Sequence, residues 1–375
     1  TFSPGPVILP TVAVPLIIAT RVPKGLPSDR TLRAIGLSAS VVRQLSAKRP
    51  MERELIASKD LIARDLADLE EDRDKILKRQ RLYNALGILD PETDLYQVYL
   101  NLYSERSLGM YDAEEDRFYL VKEIPDFGPA KKRLYVHYLV RHLQQQHFDV
   151  HSTRQSLEGN SDALRSFGAL VAGDAVLAEL IYVNEHMSEQ EQAVSREPPS
   201  RELVEAYRAA PHIVQRLYNY PFSEGTFFAY SLFQTIGWEG VNKAYADQPQ
   251  STEQILHPER YLSKEPPVKV EVPDIAAALG EGWSQVDRDT LGEFMLLAYM
   301  ETDFSLQQAA EAADGWGGDT YSLLKGPQDE SLLVLPIAWD SERDAREFLD
   351  TFLEYTEVRT GLDWESAEDG ADSRL

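Results

Sequence analysis

Three of the chain's seven histidines fall in Tyr135-Val-His-Tyr-Leu-Val-Arg-His-Leu-Gln-Gln-Gln-His-Phe-Asp-Val150, and His151 follows directly. The stretch reads as a buried helix. Metal-assisted hydrolysis from one helix needs two imidazoles four residues apart, so that both point the same way at about 100° per residue. It also needs a glutamate beside the first imidazole to act on the metal-bound water. Here that register holds His137, Tyr138 and Arg141. Tyrosine, with an ordinary pKa near ~10, is a poor base at neutral pH, and a guanidinium has no lone pair for a metal. One imidazole alone does not hold zinc. His137, His142 and His147 recur every five residues and point ~140° apart in succession, so they cannot converge on one ion. His147 and His151 do have i, i+4 spacing, with Asp149 between them. They leave a relocated metal site as the alternative to a polar helix end.

The rest of the composition narrows the classes. A chain of 375 residues, 43% hydrophobic and 27% charged, is that of a soluble globular protein with two domains, or one large domain with an appendage. A net charge of −24 argues against nucleic acid or an anionic membrane surface as partner. The absence of cysteine removes disulfides, thiolate metal sites and cysteine catalysis together. The apolar run Pro6-Val-Ile-Leu-Pro-Thr-Val-Ala-Val-Pro-Leu-Ile-Ile-Ala-Thr20 is too short for a spanning helix and is broken at Pro10 and Pro15. Residues 1–27 are therefore expected to be a Pro-rich basic arm, serving as a membrane tether or an assembly contact.

Hydrophobic spacing predicts helices over 28–86, with 51–82 as one long charge-laced helix and Gly87 as its stop. A second helix is expected over 94–108, then strand, turn and strand over 108–122. Pro129 opens the helix that carries His137. Further helices are expected over 163–185, with Gly168 and Gly173 as places of close backbone approach, and over 210–220 and 224–236. A short one over 250–258 is capped by Ser251 or Thr252. Lys264-Glu-Pro-Pro267 reads as a linker. Beyond it come helices over 289–301 and 306–313, a tight turn at Gly315-Trp-Gly-Gly-Asp319, strands over 320–325 and 331–339, and a helix over 343–355 capped by Asp340. The organisation expected is a helical extension over 28–86, a main domain over 87–262, a C-terminal α+β domain over 268–360, and an acidic, disordered tail over 366–375.

These residues also carry a likeness. His137-Tyr-Leu-Val-Arg-His-Leu-Gln-Gln-Gln-His-Phe-Asp-Val150 resembles the H-E-x-x-H-A-L-Q-D-Q-H-F-D-L of a family of bacterial, mostly extracytoplasmic zinc metallopeptidases of gluzincin type. Gly109-Met-Tyr-Asp-Ala-Glu-Glu-Asp-Arg-Phe-Tyr119 is similar to the strand pair before that helix. Leu170-Val-Ala-Gly-Asp-Ala175 resembles E-G-D-A, whose glutamate would be the third zinc ligand. Phe222-Ser-Glu-Gly225, Gly237-Trp238, Ser251-Thr-Glu-Gln-Ile-Leu-His-Pro258 and Gly315-Trp-Gly-Gly-Asp319 are similar to further stretches in order. The likeness covers 87–355 and implies a mainly helical, gluzincin-like α+β fold outside the cytoplasm.

The departures fall on the chemistry. Tyr138 stands for the base, Arg141 for the second ligand and Ala172 for the third. The expectation is a pseudopeptidase with a vestigial site and no metal, zinc being the cofactor only under the alternative of a displaced active site or a hydrolase reusing His137, Tyr138 and Glu224. Asp174 and Glu179 are expected to pair with Arg141 across the helix contact. His142, His147, Asp174, Glu179 and Glu224 are the candidates lining the cleft. The partner class implied is a protein or peptide, not nucleic acid.

Overall fold

The computed structural model describes residues 25, 27–102, 109–124, 126–196 and 200–361. Residues 1–24 and 26 of the arm expected over 1–27, and the tail over 366–375, lie outside the described residues. The class is α+β, mainly α.

The first helix, α1 (Asp29–Arg43), starts where Ser28 Oγ accepts the Thr31 N–H, and ends in the left-handed turn of Gln44. Strand β1 (Glu52–Ile56) is followed by α2 (Ser58–Glu71), α3 (Arg73–Ala85), α4 (Leu95–Leu102), β2 (Gly109–Asp112) and β3 (Arg117–Val121). These strands form a small sheet in the order β1-β3-β2, with β1 parallel to β3. Helix α5 (Pro129–Phe148) has proline at its first position, where no N–H is missed. It stops at Asp149, whose φ of 47° breaks it from α6 (Val150–Ser156).

Helix α7 (Ser161–His186) is the core of the molecule. It is long and apolar enough to cross a bilayer by length and composition, but most of it is buried inside the protein. After α8 (Glu189–Ala193) and α9 (Arg201–Ala209) comes α10 (His212–Ile236), which crosses α7 at Gly173 and Gly225. Then follow α11 (Trp238–Ala246), α12 (Thr252–Leu256), α13 (Pro258–Ser263), α14 (Ala276–Leu279), β4 (Ser284–Asp289), α15 (Glu293–Met300) and α16 (Leu306–Ala313). The chain ends with β5 (Trp316–Asp319), β6 (Tyr321–Lys325), β7 (Ser331–Val334), β8 (Ile337–Trp339) and α17 (Glu342–Thr360).

One hydrophobic cluster runs from Leu69 through α7, α10 and α15 to Tyr355. Tyr220 of α10 lies against Phe294 of α15, with ring centroids 4.0 Å apart. The chain beyond the 264–267 linker therefore shares its core with the helices before it. A second cluster joins α1 and α5 to the small sheet through Ile35, Phe118 and Tyr135.

Several elements differ from the sequence expectation. Residues 51–82 are not one helix: β1 takes their start and Asp72 interrupts the rest. The pairing that makes β1 a strand is with Arg117 to Val121, far away in sequence, so no local pattern reveals it. The helix expected over 94–108 is described as far as Leu102. Residues 210–236 give a single α10 despite Pro221. Packing along α7 offsets the hydrogen bond the proline removes. Trp316-Gly-Gly-Asp319 is itself a strand, paired with β8, and Gly315 (φ 79°) makes the turn. Ser341, not Asp340, caps α17. Asp340 instead meets Arg260.

Asp162, in the first turn of α7, ties α7 to α12 by accepting the Thr252 N–H at 3.0 Å and the Thr252 hydroxyl at 2.6 Å. Burial pushes its carboxyl up to about 7; Thr252 and Arg165 oppose the rise and the charge of Asp319 adds to it. A folded pKa above the unfolded ~3.9 means the folded chain binds this proton more tightly. The associated stability is greatest at low pH and is lost as pH rises through about 7. Asp162→Asn is expected to flatten the fall in unfolding free energy between about pH 5 and about pH 8, read by urea denaturation. An unchanged slope would count against this account.

Candidate functional site

Helices α5 and α7 run side by side and bring together most of the residues singled out by the histidine-rich stretch. His137 Nδ1 lies 3.1 Å from Glu179 Oε2, and Arg133 closes on the other oxygen of the same carboxylate. Burial alone would raise the Glu179 pKa, but the His137 hydrogen bond and the Arg133 guanidinium outweigh it and hold the carboxylate below its ordinary range. Tyr138 turns the other way. Its hydroxyl donates to the Gly109 carbonyl at 2.8 Å and its ring tilts against Phe118, fixing β2 to α5.

Asp174 is fully buried and has four donors. Arg43 Nε reaches Oδ1 at 2.5 Å and an Arg43 terminal nitrogen reaches Oδ2 at 3.0 Å. Gln144 of α5 donates at 2.9 Å and the Tyr245 hydroxyl of α11 at 2.8 Å. Arg43 also donates to Asn242 at 2.8 Å, and its guanidinium lies 4.3 Å from the centroid of the Trp238 ring. Burial and the charge of Asp174 drive the Tyr245 pKa well above its ordinary value, so it stays a donor. The last turn of α1 is thereby clamped onto α5, α7 and α11.

The expected pairing of Arg141 with Asp174 and Glu179 is corrected: Arg43 takes the first carboxylate, and Arg133 with His137 takes the second. Among the described residues no carboxylate forms an ion pair with Arg141. Burial and nearby Arg154 push its pKa down, against the pull of Tyr245 and Asp174.

The other candidates are separately engaged. His142 Nδ1 is 2.6 Å from Asp116, and Nε2 is 3.2 Å from the Arg49 carbonyl, so this ring fastens the β2–β3 turn. His147 Nε2 sits 2.8 Å from the Ser46 carbonyl, while His151 is held through its backbone N–H by Gln145. The two do not form a metal-type grouping. Glu224 faces Arg216 at 3.5 Å, and Arg216 in turn holds Glu301, the residue that ends α15, at 2.6 Å. Ala172 is buried and offers no ligand.

Zinc does not fit at His137. The position of the base is committed to Gly109, Arg141 brings positive charge, and the nearest carboxylate is already neutralised by Arg133. Among the described residues one grouping of metal-type side chains occurs, and it is elsewhere: His257, Glu293 and Asp314. Sequence reasoning missed it, as it missed Arg43, Gln144 and Tyr245. The signal for Arg43 was an aspartate inside the apolar run 170–175, which demands a buried cation.

Two cavities are described, and neither is lined by His137, Tyr138, Arg141 or Asp174. The larger, about 1300 Å³, is an apolar groove between α17 and the strands before it, lined by Leu335, Trp339, Phe348 and Phe352 among others.

A family model for a domain of unknown function (DUF8575) matches residues 279–373, which take in β4 to α17. No curated protein and no solved structure matches the chain.

Proposed function

We propose that this protein is a non-catalytic metallopeptidase homologue that binds a protein partner outside the cytoplasm. The observation that carries the reading is the Arg43–Asp174–Gln144–Tyr245 network. It packs hydrogen-bonded protein groups between α5 and α7, the two helices on which a hydrolase of this type needs an open metal position and a free base. Support for partner binding comes from the outer side of α10, where Phe227 and Tyr230, three residues apart on the same side of the helix, are each about half exposed. Exposed aromatics concentrated on one helix face mark interaction surfaces more often than scattered ones do. The extracytoplasmic setting follows from the family likeness alone.

The test is peptide hydrolysis by the full chain with and without added zinc, beside His137→Ala, together with cross-linking in its native host. The expected result is no hydrolysis above background in either protein and cross-links concentrated on α10. Hydrolysis that disappears in His137→Ala would restore the enzymatic alternative. Cross-links that avoid α10 would remove the binding face.

A further inference from the structure

We propose that His257, Glu293 and Asp314 form a binding site for one divalent cation that accepts imidazole nitrogen, taking Zn2+ in preference to Mn2+ and either in preference to Mg2+ or Ca2+. The three side chains come from three separate chain turns. His257 sits between α12 and α13, with Pro258 opening the next helix and fixing the backbone that carries the ring. Glu293 begins α15, and Asp314 ends α16. His257 Nε2 is 2.8 Å from Glu293 Oε1 and 3.8 Å from Asp314 Oδ1. One donor atom from each lies within 4.8 Å of the others. A four-coordinate ion with bonds near 2.0–2.2 Å keeps its ligand atoms roughly 3.4 Å apart, so small side-chain adjustments would seat it.

A second observation points to a ligand. Glu293 is 2% exposed, and its Oε2 is a buried oxygen with no hydrogen-bond partner. A buried carboxylate oxygen left without a donor is costly, and an ion is one of the ordinary ways of satisfying it.

The surrounding charge agrees. Glu253, Glu265 and Asp340 all face Arg260, at 2.8 Å, 3.3 Å and in close contact respectively. Arg260 reaches Asp314 only at 3.6 Å. With Glu259 3.9 Å from His257 Nδ1, six carboxyl groups thus gather around one arginine and one histidine, a concentration of acidic groups that a divalent ion would offset. The His257 side chain is 28% exposed and that of Asp314 60%, so solvent reaches the site and water can complete the shell.

One imidazole with two carboxylates suits zinc and manganese, and the usual order of divalent affinities places zinc first. The ion would act as a staple. It would join the turn after α12 to α15 and α16, and so tie the region matched by the family model to the helical body before it.

The test is calorimetric titration of the chelator-stripped full chain with ZnCl2, MnCl2 and MgCl2, with melting temperature followed in parallel. Expected is one Zn2+ per chain with a Kd of about 10 μM or tighter, no measurable Mg2+ binding, and a melting temperature that rises with Zn2+ concentration. Asp314→Asn keeps the solvent-facing shape and the bond to Gly315, so it should fold normally and weaken Zn2+ by about tenfold or more. His257→Gln should do the same, and His137→Ala should leave binding unchanged. Absence of Zn2+ binding tighter than roughly 1 mM would overturn the proposal. Binding undiminished in both Asp314→Asn and His257→Gln would overturn it equally.

Discussion

Arg43→Met is expected to destabilise the fold by about 3–5 kcal/mol, the usual cost of removing one member of a buried ion pair and stranding the other. The pair is fully excluded from solvent. Gln144 and Tyr245 remain to hold Asp174 after the change, which places the expected loss toward the lower end of that range. Methionine keeps much of the volume over Trp238, so the effect would report charge and hydrogen bonding more than packing. Arg141→Met is the comparison. With no ion pair to break among the described residues and its guanidinium already disfavoured by burial, it is expected to change stability by less than about 1 kcal/mol. Urea denaturation near pH 7 measures both. The double change Arg43→Met with Asp174→Asn should be less damaging than the sum of the singles, because the stranded charge is gone. If Arg141→Met proves the costlier single change, the clamp on α1 is misassigned.

The contrast between those two arginines shows where sequence reading stopped. The α5 register identified His137, Tyr138 and Arg141 correctly as neighbours along one helix, and Pro129 marked the start of that helix. Asp174 in an apolar stretch announced that a cation was needed. The nearest cation by motif was Arg141, but the one that arrives is 131 residues away in the last turn of α1. A basic residue at a helix C-terminus is ordinarily a solvated partner of the helix dipole. Nothing local distinguishes it from one that is buried. The same holds for β1, a five-residue segment whose partner strand lies far along the chain, and for Glu293 and Asp314, which reach His257 only once α15 and α16 are packed.

The two inferences also constrain each other experimentally. Zinc found in the purified protein would not by itself revive catalysis at α5, because His257, Glu293 and Asp314 offer it a place far from the positions matched to the zinc motif in sequence. Metal content becomes informative only when His137→Ala and His257→Gln are read side by side. Loss of zinc with the first change and not the second would favour the enzyme, and the reverse pattern the staple.

Gly225→Ala is expected to destabilise the helical body at the crossing of α7 and α10. A Cβ at Gly225 would lie 2.2 Å from the Ala169 carbonyl oxygen, and one at Gly173 would lie 1.9 Å from that of Gly225. Both obstacles are backbone, so no rotamer change relieves them; α7 and α10 must move apart by about an ångström along their contact. Overpacking of this kind costs about 1–3 kcal/mol or more, against ~1 kcal/mol gained when alanine replaces glycine inside a helix. The net effect should therefore be destabilising by up to about 2 kcal/mol, toward the upper end because both obstacles are backbone. Gly168 supplies the opposite case on the same helix: the nearest atom to a Cβ there is the tip of Arg154 at 3.7 Å. Gly168→Ala should be neutral or stabilising by up to ~1 kcal/mol. Chemical denaturation of the two variants decides the matter. Opposite signs mean that the close crossing of α7 and α10 is what glycine serves at 173 and 225, whereas stabilisation by both changes would mean that the two helices are free to separate.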